Sequence, residues 1–200
     1  MATLSHRLTQ KRFGKTIQLY TPMYLSNECQ NICTYCAFSY DNKIKRVTLN
    51  KKQILDEIKV IKKMGFDHIL IVTGESNNFV GMDYFRLVLP ILRPHFSHIS
   101  FEVQPMARAE YGELISLGVN TVLVYQETYN KELYKNYHPK GKKSNFYYRL
   151  ETPDRLGKAG IHKIGLGVLL GLGNPGECGA NWCVDSFFCA LHLNYLEKKY

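Results

Sequence analysis

The chain has 200 residues, 45% of them hydrophobic and 22% charged, which is ordinary globular usage and excludes a disordered chain; a single domain over residues 1–200 is the expectation at this length. No apolar stretch approaches the roughly 18–20 residues a membrane span needs, and the opening MATLSHRLTQKRFGKT lacks the apolar run of a secretory signal, so a cytoplasmic protein with no membrane partner is expected. The 26 Lys and Arg against 17 Asp and Glu give a net charge of +9, which fits nucleic acid or an acidic small ligand and selects neither.

In chain order, the first thirty residues are basic and polar until Ile17-Gln18-Leu19-Tyr20, whose β-branched and aromatic content predicts a strand. It leads into SNECQNICTYCAFS, which carries Cys29, Cys33 and Cys36. From Asn50, residues Ile54, Leu55, Ile58 and Ile61 recur at helical spacing and Gly65 supplies a stop. The apolar run His68–Val72 reads as a buried strand ending at Thr73-Gly74-Glu75, and a helix follows over Met82–Leu92. The alternation repeats with a strand near Ile99–Val103, a helix near Ala107–Leu117 and a strand at Thr121–Tyr125. A helix over Phe146–Lys158, a glycine-punctuated strand over Lys163–Leu170 and a last helix over Asp185–Lys198 complete the pattern.

About five βα units of this kind imply a parallel sheet, since parallel strands need helical crossovers. An open doubly wound sheet and a (β/α) barrel both satisfy the pattern, and both place ligand loops at the carboxyl ends of strands. Cys29 to Cys36, Gly74-Glu75, Gln126-Glu127 and Gly171 all follow or end predicted strands and would converge on one face. A full eight-unit barrel takes about 250 residues, so this chain can supply only part of one.

Three of the six cysteines fall in Cys29-x3-Cys33-x2-Cys36. A structural zinc site wants four protein ligands, and no His or Cys lies close on either side to complete one. A cubane iron-sulfur cluster can be held by three thiolates, leaving one iron open to another ligand. The alternatives are three clustered thiols, or a zinc site finished by a distant residue such as His138 or Cys178. Cys178, Cys183 and Cys189 are read as free thiols, and Lys140-Gly141-Lys142-Lys143 as a solvated charge run with no assigned role.

The x3-x2 cysteine loop, with Tyr35 before its last cysteine, resembles the signature of radical S-adenosylmethionine (SAM) enzymes. Together with VTGE, GMDYFRLVLPILRP, EVQP, VYQETYN and HPKGKKSNFYYRLETPDRLGKAGIHKIGLG, the chain from about Leu19 to Tyr200 is similar to the tyrosine lyases among them, of the 2-iminoacetate synthase kind used in thiazole and thiamine biosynthesis. The resemblance implies a partial (β/α) barrel of the radical SAM type, and a carbon-carbon lyase that splits L-tyrosine at Cα–Cβ into 2-iminoacetate (dehydroglycine) and p-cresol. It further implies a [4Fe-4S] cluster on Cys29, Cys33 and Cys36, SAM as second cofactor, a reductant such as flavodoxin or ferredoxin, a complex with thiazole synthase, and no nucleic acid.

By the same resemblance Gly74 and Glu75, after Thr73 in place of a first glycine, meet the SAM amino group. Arg149 pairs with the SAM carboxylate through its guanidinium fork, and Glu127 joins the SAM-binding set, a helix N-cap or a structural ion pair being its alternatives. Gly167, with Gly165 and Gly171, admits the adenine edge, and Tyr35 lies beside the adenine or packs in the core. Arg155 is read as structural. Family members continue for several more strands, so a fragment or truncated form is expected, with part of the substrate pocket outside it. The tyrosine lyase of hydrogenase maturation and a non-enzymatic metal module are the competing readings.

Overall fold

The computed structural model describes residues 2–172. Within them five parallel strands pair in sequence order: β1 (Thr21–Ser26), β2 (His68–Thr73), β3 (His98–Glu102), β4 (Thr121–Leu123) and β5 (Lys163–Gly165). That order separates the two architectures. A doubly wound sheet reverses direction part-way across, whereas a barrel lays each new strand beside the last, so the sheet is a partial (β/α) barrel. Its helices are α1 (Ala2–Phe13), α2 (Lys51–Lys63), α3 (Met82–Leu92), α4 (Arg108–Ser116), α5 (Lys131–Tyr137), α6 (Phe146–Leu150) and α7 (Thr152–Ala159), with one 3-10 turn at Lys142–Ser144.

The helices α2, α3 and α4 form where the sequence predicts. Asn50 caps α2 in a reciprocal box with Gln53, and Ile54, Ile58 and Ile61 make one buried stripe. Gly65, at φ +85°, ends it. Strand residues alternate in the same way. Ile69, Ile71, Ile99, Phe101 and Val122 join the core beneath the helices, while their neighbours Val72, Glu102 and Leu123 face the opposite side and line a cavity.

Four expectations are corrected. The first strand is Thr21–Ser26, not Ile17–Tyr20: Ile17 and Leu19 are exposed, whereas Met23 and Leu25 are buried against β2. Pro22 discourages a strand assignment, yet β1 is an edge strand, where a missing N–H costs no ladder bond. The helices α1 and α5 were not anticipated; α5 has little apolar periodicity and rests on Asn130, whose side chain accepts from the backbone N–H groups of Glu132 and Leu133. The single helix expected over Phe146–Lys158 is split into α6 and α7 because Pro153 has no N–H and its ring would meet the carbonyl four residues earlier. The last strand is three residues long, although Glu127 and Val168 still form an isolated bridge beyond it. The helix expected over Asp185–Lys198 and Cys178, Cys183 and Cys189 lie outside the described residues. Among the described residues no helix is long and apolar enough to cross a membrane.

Candidate cofactor site

Three segments build the site: the cysteine loop after β1, the end of β2, and the stretch from β4 to α6. The cysteine loop is held from several sides. The Cys33 N–H donates to Ser39 Oγ at 3.0 Å, and Cys36 N–H donates to the Cys33 carbonyl at 3.2 Å. Arg46 reaches across it, donating from Nη1 to the carbonyls of Asn27 and Phe38 and from Nη2 to that of Ser39. Against β2, the Gln30 N–H donates to the Glu75 carbonyl at 2.9 Å. A Cβ on Gly74 would stand 2.2 Å from the Glu28 carbonyl oxygen, so only glycine lets the loop pass this close.

The other side of the loop is clamped by the Lys140–Lys143 run, which is therefore structural and not only the solvated charge run expected. Ile32 pairs antiparallel with Lys140, Thr34 N–H donates to the Tyr137 carbonyl, and the Lys143 N–H donates to Asn31 Oδ1 at 2.9 Å. Gly141 makes the turn at φ +94°, where a Cβ would meet Asn31 Oδ1 at 2.4 Å and the Gln30 carbonyl oxygen at 2.7 Å. Asn31 is fully buried and joins the parts, since its Nδ2 donates to Glu75 Oε2 at 2.9 Å. No local pattern in the sequence marks Asn31 or Lys143, which meet each other across more than a hundred residues, or Arg46, whose partners are backbone carbonyls.

Cys29, Cys33 and Cys36 line a cavity of about 230 Å³ at the carboxyl ends of the strands, together with Tyr35, Gly74, Glu75, Glu127 and Arg149. The structure therefore brings together every residue named for the site except the glycines Gly165, Gly167 and Gly171. At Gly167 the missing Cβ makes room for the Tyr125 ring, which it would meet at 2.6 Å, and at Gly165 for Leu123. These glycines accommodate their sheet neighbours, and Gly167 does not line this cavity.

The charges in the site are paired. Arg149 donates from Nη1 to Glu75 Oε1 at 2.7 Å and from Nε to the Tyr125 carbonyl at 2.7 Å, with the two side chains only 6% and 12% exposed. Burial acts to raise the Glu75 carboxyl, but the charges of Arg149 and Lys143 and the hydrogen bonds from Arg149 and Asn31 hold it below its ordinary value. Glu127, at φ +69°, is a strained non-glycine position of the kind found at binding sites, and it accepts from Lys143 Nζ at 2.9 Å. The α5 cap is Asn130, so Glu127 has the ion pair and not a capping role. Arg155 is structural as expected: it donates to the Met106 carbonyl and to Thr152 Oγ1 and lies over the Tyr148 ring.

The thiols suit a cluster better than a single ion. Among the described residues no group of three His, Cys, Asp or Glu side chains gathers as one metal ion would require, whereas a cubane spreads its ligands over separate irons. His138 is not spare for zinc. Its Nδ1 faces the Tyr134 carbonyl at 2.8 Å and its Nε2 the Tyr35 hydroxyl at 2.8 Å, so both ring nitrogens are engaged. Burial pushes the Cys33 thiol up to about 12, with Lys143 pulling it down, so its thiolate form would need a compensating positive charge of the kind a bound metal supplies. Thr73 Oγ1, buried on the cavity wall, has no hydrogen-bond partner among the described residues, which suits a ligand with an N–H or O–H to offer.

Comparison with known proteins agrees with this geometry. The family model described as "Radical SAM superfamily" matches residues 23–178. The chain is 54% identical over all 200 residues to the 2-iminoacetate synthase of Escherichia coli K12 and 52% identical to that of Salmonella typhimurium LT2, covering 52% of each. It thus spans about half the length of the curated relatives it matches. Among solved structures, the FeFe-hydrogenase maturase HydG from Carboxydothermus hydrogenoformans superimposes with a TM-score of 0.79 at 34% identity, over 92% of this chain and 45% of that one. Methylornithine synthase (PylB) gives 0.73 at 25%, over 86% of this chain and 50% of that one. The chain belongs to the radical SAM superfamily, whose cofactors are a [4Fe-4S] cluster and SAM.

Proposed function

We propose that this chain carries the cofactor-binding part of a radical SAM tyrosine lyase, which splits L-tyrosine at Cα–Cβ into 2-iminoacetate and p-cresol and so supplies the thiazole moiety of thiamine diphosphate. The observation that carries the reading is the 54% identity to a 2-iminoacetate synthase, which extends over the whole chain. The 34% identity to HydG supports that maturase as a related enzyme and not as the nearer model of activity.

In this reading Cys29, Cys33 and Cys36 hold the cluster. When bound, the cluster and SAM supply a carbon-centred radical able to take a hydrogen atom from the substrate, and the protein's part is placement and protection. Gly74 and Thr73 offer the close backbone and the free Oγ1 that a SAM ammonium needs. Glu75 and Arg149 form the charged wall against which its amino and carboxylate groups lie, and Glu127, fixed by Lys143, presents a carboxylate to the same cofactor. Phe38, Val72, Val103 and Leu123 give the cavity an apolar lining that keeps water from the reacting atoms. Tyr35 is fixed in orientation: with Nδ1 of His138 donating to a carbonyl, Nε2 accepts the phenol proton. A one-electron reductant of the flavodoxin or ferredoxin class and a thiazole synthase complex complete the expected setting.

The test is anaerobic reconstitution with iron and sulfide, followed by incubation with reductant, SAM and L-tyrosine. Formation of 5'-deoxyadenosine is expected from this cofactor-binding part, with p-cresol and 2-iminoacetate formed in step once the whole substrate pocket is present. Cyanide and carbon monoxide from tyrosine would transfer the assignment to the maturase type, and a colourless zinc protein would remove the radical reading.

A further inference from the structure

Three carboxylates border the cavity, and they are not equivalent. Glu75 is met by Arg149 and Asn31, and Glu127 by Lys143. Glu102, half-buried at the end of β3, accepts from no side chain among the described residues, although it lines the same cavity. In the strand register Glu102 stands beside Val72 of β2, and the β3–β4 pairing carries on to Leu123 of β4, so its flanking neighbours on the cavity face are apolar. It lies within its strand, in the row beneath the one that ends in Gly74 and Glu75.

An unpaired carboxylate in such a place is costly unless a ligand brings it a cation or a strong donor. Burial and the nearby charge of Glu127 both raise its carboxyl, and Lys143 and Arg149, already committed to Glu127 and Glu75, only partly offset this. Among the residues that the family resemblance gives to SAM, those lining the cavity lie in the segments after β1, β2 and β4 and on α6, so the row of Glu102 is left for the second ligand of the cavity. We infer that Glu102 receives the ammonium group of the amino-acid substrate, holding it between the apolar Val72 and Leu123 while the side chain points elsewhere. This rests on the tyrosine-lyase reading.

The test is calorimetric titration of the reconstituted, SAM-loaded chain with three ligands: L-tyrosine, tyramine, which keeps the ammonium, and 3-(4-hydroxyphenyl)propionate, which lacks it. Glu102→Gln should weaken tyrosine and tyramine by about ten- to hundredfold, the range for a charge-assisted hydrogen bond, and leave the propionate unchanged. Glu102→Asp, which keeps the charge, should fall between, and carries the same comparison if the glutamine variant loses its cluster. The wild type should itself prefer tyramine to the propionate. Equal tyrosine affinity in wild type and Glu102→Gln, equal loss of all three ligands, or a loss of SAM affinity alone would overturn the assignment. Wild-type protein that binds SAM but neither tyrosine nor tyramine would instead remove the tyrosine reading, and this inference with it.

Discussion

Arg149 in α6 donates to Glu75 after β2 across 74 residues of sequence, with both side chains almost wholly buried. The pair is shared by two cavities, the one lined by the cysteines and a second of about 420 Å³ lined by Gln104, Lys142 and Tyr148. Two residues that the family resemblance gives as separate contacts to the amino and carboxylate groups of SAM are thus one ion pair, and each depends on the other for its orientation.

Loss of either partner should therefore affect stability as well as SAM. Arg149→Met leaves Glu75 buried without its guanidinium and is expected to cost about 3–5 kcal/mol, while the double variant Arg149→Met, Glu75→Gln should cost clearly less than the sum of the singles. Urea unfolding of the four proteins gives the cycle. Strict additivity would mean the pair is not the unit described.

The cysteine loop gives the second expectation. Replacing Cys29, Cys33 or Cys36 with Ala should abolish the cluster, since two thiolates do not hold it against solvent, whereas the same change at Cys178, Cys183 or Cys189 should not. Iron per chain after anaerobic reconstitution decides it, and a comparable loss from Cys183→Ala would displace the ligand assignment.

How much of this was legible in the sequence follows from how local each feature is. The stripe of Ile54, Ile58 and Ile61 and the run His68–Thr73 declare themselves by period and composition, and the structure places both elements where expected. Cys29, Cys33 and Cys36 are legible for a related reason, because ligands supplied by one loop must sit at short spacing. The first strand was misplaced because Ile17 and Leu19 have strand-like side chains while Pro22 does not, and only the edge position of β1 resolves the conflict. The clamp on the cysteine loop depends on Ile32 meeting Lys140 and Asn31 meeting Lys143, pairings more than a hundred residues apart that no local window contains. Glu102 falls within the expected strand near Ile99–Val103 but nothing local singles it out, since a missing ion pair is visible only once every neighbour is placed.

Gly141 offers a test of that clamp. A Cβ there meets backbone atoms of Gln30 and Asn31, and its φ of +94° is strained for any L side chain, whereas Gly160, at φ +88°, has nothing within 4 Å. Gly160→Ala should show the conformational strain alone, about 1 kcal/mol, and Gly141→Ala should cost more, about 3 kcal/mol or above, with reduced cluster retention. Thermal unfolding together with iron content compares them. Equal effects at the two positions would mean the loop yields freely and the clamp does not hold the cysteines.

The last expectation concerns acid. His138 is wholly buried, and burial followed by the charge of Lys143 lowers it to about 4; burial, then Lys163, His68 and His162, lower His98 to about 4 as well. An unfolded histidine titrates near 6.5. Between about pH 6.5 and 4 the unfolded chain therefore binds protons that the folded chain refuses, and stability falls as the pH drops through that window, levelling below it. At pH 7 and above both histidines are neutral in either state and the contribution is complete. His138→Gln removes one titrating group while keeping a polar side chain. Urea midpoints followed by circular dichroism between pH 7.5 and 4.5 should decline less steeply in this variant than in the wild type, whatever its stability at neutral pH. Parallel slopes would mean that His138 takes up its proton in the fold as readily as in the unfolded chain, and that burial does not hold it neutral.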